Sequence, residues 1–341
     1  MYRQQLSRRQ DREIHSSPSH VLSLVEDPQI RNAAVLQVEG LRKIYGAIEA
    51  VAGVTFDVRQ GEVFGLLGLN GAGKTTLISM LATERRPSGG DALLLGHSIC
   101  SERRTIRQMI GIAPQEIALY PMLTAAENLR FIGRTYGMRG AALERRIEEL
   151  LESVVLTDRS SDYVGSFSGG MKRRLNLAAA LVHDPKLILL DEPTAGVDPE
   201  SRDEILKIVR RFRSDGKAIL YTTHYMEEAE ELSDRIGILN AGKLVAAGTL
   251  AELRSEFEFS EVIELSGPTT GIDLSPMRAP GRVYRVERYD KRLRVLVKRA
   301  TDFLLPLQKI ISRSGKSIQL KIRPLSLEDL FLLLAHKEAD T

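Results

Sequence analysis

The sequence predicts an α/β fold built on a mostly parallel sheet, and two stretches carry that prediction. The apolar residues 63–67 predict a strand that leads through the glycine-rich residues 68–76 into an apolar segment typical of a helix. Residues 187–190 are apolar on both faces and run directly into Asp191 and Glu192, a pattern typical of a buried parallel strand. Because ligands of open α/β sheets bind at the carboxyl ends of the strands, both stretches indicate one site.

Composition limits the possible functions. The chain has 341 residues, of which 43% are hydrophobic, enough for one large or two ordinary domains. Its net charge of +3 gives no chain-wide basic field of the kind that nucleic-acid binders usually carry. The single cysteine, Cys100, excludes an internal disulfide framework. No apolar run approaches the roughly 18 to 20 residues that a membrane-spanning helix needs. We expect residues 1–34 to form a flexible N-terminal arm.

Residues 68–76 have the spacing G-x-x-x-x-G-K-[ST] of a phosphate-binding loop. Glycines at these positions let backbone N–H groups turn inward around phosphate oxygens, where a side chain would obstruct them. Lys74 would reach the β- and γ-phosphates, and the Thr75 hydroxyl would face Mg²⁺. The helix that follows would direct its positive end at the anion. The alternative is a glycine-rich turn that only joins a strand to a helix.

Short strands with alternating polarity precede this loop, at residues 35–39 and 51–58. We expect them to form a peripheral antiparallel sheet. Tyr45 lies between them and is the only aromatic residue shortly before the loop. It is either a core or rim residue or a platform on which an adenine ring stacks.

A second group of candidates follows the loop. Residues 110–113 predict a short strand that leads to Gln115, which could simply cap a turn. Residues of about 118–165 show charged, helical periodicity and predict a helical insertion. Ser168 is a competent N-cap for the next helix. A second glycine after this cap costs helix stability by roughly 1 kcal/mol against alanine. We therefore expect a group, most simply an anion, to approach the backbone at Gly169 and Gly170; the alternative is an ordinary capped helix.

Three polar side chains end predicted strands. Asp191 suits Mg²⁺, directly or through water, and Glu192 would orient or activate an attacking water. His224 follows the predicted strand at residues 218–223, again at a carboxyl end. The alternatives are a solvated acidic turn and a structural histidine.

A hairpin predicted at residues 235–247 closes the first domain. After it, residues 256–341 predict four short strands, a helix between the last two strands, and a final amphipathic helix. No catalytic group stands out here, so we expect a small α+β accessory domain with a regulatory, dimerising or docking role.

Taken together, residues of about 35–255 resemble the nucleotide-binding subunits of ATP-binding cassette (ABC) transporters, because seven motifs occur in the family's order. They match the adenine-stacking aromatic (Tyr45), Walker A (68–76), the Q-loop (Gln115), the signature (168–170), Walker B with its catalytic carboxylate (Asp191 and Glu192), the D-loop (195–198) and the switch histidine (His224). One departure is Met171, where the family's signature usually has glutamine. The continuation 171–175 and the ending 325–331 are similar to the drug-exporter, daunorubicin-type branch.

The resemblance implies a P-loop NTPase (RecA-like) core with an antiparallel β subdomain and an inserted helical subdomain. It assigns catalysis to Glu192, His224 and Gln115, and the metal to Thr75, Gln115 and Asp191. It places nucleotide contacts at Tyr45, Asn70, Gly71, Gly73, Lys74, Thr75, Thr76, Ser168, Gly169, Gly170 and Asp198.

The same resemblance implies how the chain would work. Two copies would face head to tail around ATP and Mg²⁺, each directing its Ser168 helix at a γ-phosphate held by the other. Hydrolysis would drive a separately encoded integral membrane permease, in export of a drug, lipid or polysaccharide, from the cytoplasmic face of the membrane. Residues 119–123 could receive a permease helix or form an internal packing loop.

Two other classes compete with this one. A soluble ABC ATPase that acts on nucleic acid or ribosomes would share the site, but the single cassette and the exporter-like ending argue against it, and we expect no nucleic-acid partner. A cassette that does not hydrolyse ATP would have little use for an intact Glu192 and His224.

Overall fold

The computed structural model describes residues 34–257, 259–270, 272, 283–289, 292–315 and 317–339. The predicted N-terminal arm, apart from Ala34, lies outside the described residues. The strands are β1 Ala34–Tyr45, β2 Ile48–Arg59, β3 Val63–Leu67, β4 Gly89–Leu94, β5 His97–Ser98, β6 Ile110–Ala113, β7 Leu187–Asp191, β8 Ala218–Thr223, β9 Arg235–Asn240, β10 Lys243–Gly248, β11 Glu261–Ser266, β12 Val283–Tyr289, β13 Arg292–Val297 and β14 Gln319–Pro324. The helices are α1 Lys74–Leu81, α2 Arg103–Met109, α3 Ala125–Thr135, α4 Gly140–Ser153, α5 Gly169–Ala180, α6 Pro199–Ser214, α7 Met226–Leu232, α8 Leu250–Ser255, α9 Thr301–Ser314 and α10 Leu327–Ala339.

A six-stranded sheet organises the fold, in the order β10-β9-β3-β8-β7-β6. Its five strands from β9 to β6 are parallel, and β10 is an antiparallel edge. Leu67 is opposite Thr223, and Asp191 is opposite Thr222, so β3, β7 and β8 end along one edge. The predicted parallel strand β7 is confirmed, since all five of its residues are buried.

Both faces of this sheet are covered. On one face, α1 and the antiparallel sheet β2-β1-β4-β5 share a core with Leu187 and Leu189. On the other face, α3 to α6 pack against Ile188 and Leu190. The alternation of β7 between two cores explains its unbroken apolar sequence.

The predicted helical insertion contains α3 and α4. A capping box begins α3, because Thr124 accepts a hydrogen bond from the Glu127 N–H and Glu127 accepts one from the Thr124 N–H. Two short 3₁₀ helices, Thr157–Arg159 and Val164–Ser166, complete the segment before α5. Leu143, Ile147, Leu150 and Leu151 form the buried face of α4.

A third sheet, β12-β13-β11-β14, is antiparallel throughout. Helix α9 covers one face through Phe303 and Leu307, while α10 packs against α7 and α8. The Arg254 Nε–H donates to the Leu325 carbonyl over 2.6 Å. The strands and helices predicted here are confirmed. No helix in the described ranges is long and apolar enough to cross a membrane.

Three helices were not predicted: α2, α6 and α8. The signal for α6 was available, because Asp198-Pro199 is a good N-cap followed by a good first helical residue. Its apolar positions Ile205, Val209 and Phe212 also fall on one buried face.

Candidate nucleotide site

The glycine-rich loop joins β3 to α1 at the carboxyl edge of the central sheet. Gly71 and Gly73 have φ angles of 83° and 108°, values that residues other than glycine rarely adopt. A Cβ on Gly73 would collide with the Ala50 carbonyl oxygen, and one on Gly68 would lie 2.6 Å from the Leu239 carbonyl oxygen. The loop is therefore held between β2 and β9, with no room for a side chain at Gly68 or Gly73. Asn70, Thr75 and Thr76 lie along its open side, with at least part of each surface exposed.

Lys74 lies at the centre of the loop. Its ammonium donates to the carbonyl oxygens of Gly68 at 2.7 Å and Leu69 at 3.2 Å. It also lies 3.0 Å from Glu192 Oε1, with only 4% of the lysine side chain and 9% of the glutamate side chain exposed. The sequence-predicted phosphate and acid motifs are thus in direct contact.

The acidic pair follows β7 in a strained turn. Glu192 has a φ of 46°, in the left-handed region that costs a residue with a side chain about 1–2 kcal/mol. Its N–H donates to the Thr222 hydroxyl over 3.1 Å, and that hydroxyl donates to Asp191 Oδ1 over 2.6 Å. Asp191 is buried beside it. These bonds hold two neighbouring carboxylates in different directions, with Glu192 turned toward Lys74.

His224 directly follows β8 and meets the same glutamate. Its Nδ1 lies 3.0 Å from Glu192 Oε2. In the tautomer that carries a hydrogen on Nδ1, this N–H would donate to the carboxylate oxygen. The imidazole ring contacts the Tyr225 ring at a centroid distance of 4.1 Å, with the two ring planes tilted by 38°. Glu192 is therefore held from both sides, by Lys74 and by His224.

Gln115 is placed beside these groups by β6. It is exposed two residues after the strand ends, on the same edge as Asp191, because β6 and β7 are parallel neighbours. The Arg173 guanidinium on α5 donates to the Gln115 carbonyl and, over 3.1 Å, to the Ala195 carbonyl. This arginine, which the sequence analysis missed, connects the Gln115 turn to the segment after Glu192.

Tyr45 lies at the tip of the β1–β2 hairpin, 39% exposed. Two cations flank its ring: Lys43 Nζ at 5.2 Å and the Arg85 guanidinium at 5.7 Å from the centroid. Tyr45 is a rim residue, and its exposed ring is available for stacking. Its hairpin reaches the phosphate loop through Ala50.

The Ser168 helix directs its first turn at solvent. The Ser168 hydroxyl accepts a hydrogen bond from the Met171 N–H over 3.2 Å, so the predicted N-cap is confirmed. Ser168 and Gly169 are exposed. Within residues 34–257, which are described without a gap, no hydrogen bond joins this turn to the phosphate loop. The exposed turn at Ser168 and Gly169 is thus separate from the motifs that meet on the edge of the central sheet.

The structure gives a second reason for a glycine at position 170, and the predicted anion contact there stays a prediction. A Cβ there would collide with the Ser201 side chain of α6, so the residue is small because two helices of the same chain meet. At Gly169, an added Cβ would meet nothing within 4 Å. The two glycines therefore differ in the space on their Cβ side, which is open at Gly169 and filled by Ser201 at Gly170.

Asp198 has a structural task that the sequence analysis did not identify. It caps α6, accepting from the Ser201 N–H at 2.9 Å and the Ser201 hydroxyl at 2.8 Å. These hydrogen bonds hold the pKa of the exposed Asp198 carboxyl below its usual value. The carboxylate is therefore ionised and directed into its own helix at neutral pH.

The sequence analysis also missed Glu228, a buried carboxylate behind His224. It is one of four glutamates in α7, so composition does not distinguish it. Its position on the same helical face as Ala229 and Leu232, both buried, was the available signal.

This arrangement defines a class before any comparison: a P-loop ATPase in which lysine, two acids and a histidine meet on the edge of a parallel sheet. A family model described as ABC transporter matches residues 51–195. The chain is 41% identical over 306 residues to the linearmycin resistance ATP-binding protein LnrL of Bacillus subtilis (strain 168), covering 88% of this chain and 98% of that protein.

Two further comparisons agree. The daunorubicin/doxorubicin resistance ATP-binding protein DrrA of Streptomyces peucetius is 43% identical over 220 residues, covering 64% of this chain and 67% of that protein. A dimeric ATP-binding cassette in a post-hydrolysis state, bound to ADP and Pi, has a TM-score of 0.58 at 26% identity, covering 63% of this chain and 98% of that chain. The chain belongs to the ABC transporter family, as an ATP-hydrolysing subunit of the drug-exporter branch.

Proposed function

We propose that this ATPase drives a separately encoded integral membrane permease in the export of a drug, lipid or polysaccharide. The names of LnrL and DrrA, both resistance ATP-binding proteins, support export. A permease partner is supported by three exposed apolar residues that follow Gln115 in the chain, Tyr120, Met122 and Phe131. Met122 is 84% exposed, and the Tyr120 and Phe131 rings contact edge to face at a centroid distance of 4.9 Å.

The catalytic roles follow from the contacts of Glu192. We assign it as the base that orients or activates the attacking water, with His224 fixing its carboxylate and Lys74 holding the β- and γ-phosphates. Gln115 would face the attacked phosphate from the neighbouring strand end. Tyr45 would stack on adenine, and Asn70, Gly71, Gly73 and Thr76 would surround the phosphates.

Mg²⁺ fits the donors at this edge. Thr75 offers a hydroxyl, Gln115 an amide oxygen and Asp191 a carboxylate, the hard oxygen ligands that Mg²⁺ prefers. In the described part of the chain, no cluster of three or more His, Cys, Asp or Glu residues could hold a metal ion. The ion would thus need nucleotide phosphate oxygens and water to complete its shell. When bound, it would neutralise charge on the transferred phosphate.

A second copy would complete the site. The exposed Ser168–Gly169 turn supports this proposal, because a helix N-terminus with a free backbone is suited to an anion held by another chain. Cassettes of this family form dimers, and we propose a head-to-tail arrangement around two ATP molecules. Asp198 would lie at the contact between copies, with its carboxylate engaged in capping α6.

We further propose a division of the chain. Residues 35–255 would form the ABC domain, with the helical insertion at about 118–165, and residues 256–341 an accessory α+β domain after an N-terminal arm at 1–34. The subunit would attach peripherally to the cytoplasmic face of the cell membrane through its permease.

Affinity capture of the tagged full chain from detergent extracts of its own cells tests the permease. We expect a protein with several membrane spans to copurify, and Met122→Asp to reduce its recovery several-fold. Val155→Asp is the matched control, since Val155 is an apolar residue that is 70% exposed and follows α4 instead of lying near Tyr120 and Met122 in the sequence. Recovery with ribosomes or DNA in place of a membrane protein would favour the soluble ABC ATPase instead.

A further inference from the structure

Glu228 is a fully buried carboxylate with four partners, and none of them belongs to the phosphate loop. Its Oε1 accepts a hydrogen bond from the Thr194 hydroxyl at 2.8 Å and forms an ion pair with the Arg202 guanidinium, whose Nε lies 2.9 Å away. Its Oε2 accepts from the Tyr221 and Thr223 hydroxyls, both at 2.9 Å. The residue has 0% exposure.

Burying a carboxylate is costly unless it is paired and hydrogen-bonded. Here one guanidinium and three hydroxyls supply both kinds of contact. Burial and the negative charge of Glu228 raise the pKa of Tyr221 well above its usual value, so its hydroxyl stays protonated and donates. The four partners contact both carboxylate oxygens and together compensate the buried charge.

The partners of Glu228 come from the two segments that carry the reacting groups. Thr194 lies two residues after Glu192, and Thr223 directly precedes His224. Arg202 lies in the first turns of α6, the helix that Asp198 caps. Through these contacts Glu228 links the segment that follows β7, from Glu192 to Asp198, to the segment around His224 that follows β8.

We propose that Glu228 is a positioning residue for ATP hydrolysis. It fixes the segment after β7 against the segment after β8, so that the Glu192 carboxylate and the His224 imidazole stay aligned. This inference rests on the roles proposed for Glu192 and His224. A glutamine would have the same shape but would direct an NH₂ group at one pair of donors, so the register of the two segments would change. Nucleotide binding does not depend on this contact.

Steady-state ATP hydrolysis by the purified full-length protein tests the proposal. Glu228→Gln is expected to lower kcat by at least tenfold and to leave KM for MgATP within about twofold. Glu227→Gln is the matched control: this neighbouring glutamate is 89% exposed and lies 3.6 Å from the same Arg202. It should keep wild-type kcat. Wild-type kcat in Glu228→Gln, or an equal loss in both variants, would overturn the proposal.

A double variant separates positioning from general destabilisation. If Glu228 acts through the Glu192–His224 contact, adding Glu228→Gln to His224→Ala should lower kcat no further than about twofold. Losses that multiply would overturn the proposal. Should Glu228→Gln fail to fold, Tyr221→Phe removes one donor alone and should reduce kcat several-fold at unchanged KM; wild-type kcat there would overturn the proposal.

The proposed roles themselves have a separate readout. Wild-type turnover in Glu192→Gln and in His224→Ala would refute those roles. Loss of turnover in these two variants with normal turnover in Glu228→Gln would refute only the positioning role.

Discussion

Lys74 Nζ lies 3.0 Å from Glu192 Oε1, and this buried pair joins the phosphate loop to the acidic end of β7. Both charges are almost free of water contact, so each depends on the other for compensation. A bound nucleotide would bring phosphate oxygens to the same ammonium. Glu192 and the γ-phosphate therefore compete for Lys74, and ATP binding must weaken the pair before hydrolysis can use the carboxylate.

Glu192→Gln should separate binding from turnover. Removing the carboxylate charge frees Lys74 and reduces repulsion of the γ-phosphate, so we expect ATP to bind about tenfold more tightly, equivalent to about 1.4 kcal/mol. Turnover should fall at least about 100-fold, the scale of a lost general base. Equilibrium binding of labelled ATP and phosphate release measure the two effects.

Glu231→Gln provides the control, because this exposed glutamate of α7 pairs only with Arg210 on the surface. It should change neither quantity. Equal ATP affinity in wild type and Glu192→Gln would contradict the competition for Lys74, and unchanged turnover would remove Glu192 as the base.

The coupling between Lys74 and Glu192 can be measured with a double-mutant cycle of unfolding free energies. Lys74→Met leaves the Glu192 charge buried beside His224 and should lower the free energy of unfolding by about 3–5 kcal/mol, the usual cost of removing one partner of a buried pair. Lys74→Met combined with Glu192→Gln should recover most of that loss. Urea denaturation without nucleotide measures all three variants. A double variant as unstable as the sum of its single changes would show that the two residues are not coupled.

Much of this site was predictable because the sequence shows where each buried strand ends. The apolar residues of β3, β7 and β8 stop where polar residues begin, and parallel strands bring such ends to one edge. The sequence analysis missed which acid lies inside, although helical periodicity places Glu228 on the same face as Ala229 and Leu232. Glu227, Glu228, Glu230 and Glu231 are equivalent in composition, and only the packing of α7 against β8 and α6 buries Glu228.

Gly169 and Gly170 look alike in the sequence but differ in their surroundings. Both residues cost the helix the same stability relative to alanine, so the sequence analysis explained both by one approaching anion. Their surroundings differ because α6, a helix that the sequence analysis did not predict, contacts one glycine and not the other. A residue's need to be small is set by its neighbours in space, and local spacing does not report them.

Gly170→Ala and Gly169→Ala should therefore have opposite effects on stability. The methyl group at Gly170 would collide with Ser201, and we expect a loss of about 1–3 kcal/mol from overpacking. At Gly169 the methyl group enters open space, and the better helix propensity of alanine should add up to about 1 kcal/mol. Thermal or urea unfolding of each variant gives the sign.

ATP turnover in these two variants should not follow their stability. If the Gly169 backbone approaches a phosphate in the second copy, Gly169→Ala should lower ATP turnover several-fold while the protein becomes more stable. A stabilised Gly169→Ala variant with full turnover would argue against that approach, and a stable Gly170→Ala would show that α5 and α6 can separate without cost.

Asp329 predicts a pH dependence in the C-terminal part of the chain. It is 6% exposed and accepts from the Arg323 guanidinium and from the Ser326 hydroxyl at 2.7 Å. Burial alone would raise the pKa of Asp329, but hydrogen bonds from Arg323 and Ser326 outweigh it and hold the pKa below its usual value. The ionised form thus stabilises the fold fully above the unfolded-state pKa of about 3.9, and the contribution is lost as pH falls through the lower folded-state pKa.

Asp329→Asn should consequently destabilise the protein most at neutral pH. We expect the unfolding free energy to drop by about 1.5–3 kcal/mol at pH 7, because the partly buried Arg323 loses one of its two carboxylate partners, Glu264 being the other. The difference from wild type should shrink below about pH 4, where the Asp329 carboxyl of the unfolded wild type is protonated, and should vanish below the lower folded-state pKa. Asp302→Asn, at an exposed pair with Arg299, is the control and should stay within about 0.5 kcal/mol at every pH. A difference between Asp329→Asn and wild type that is equally large at pH 7 and in acid would mean that Asp329 stabilises the fold through its shape alone.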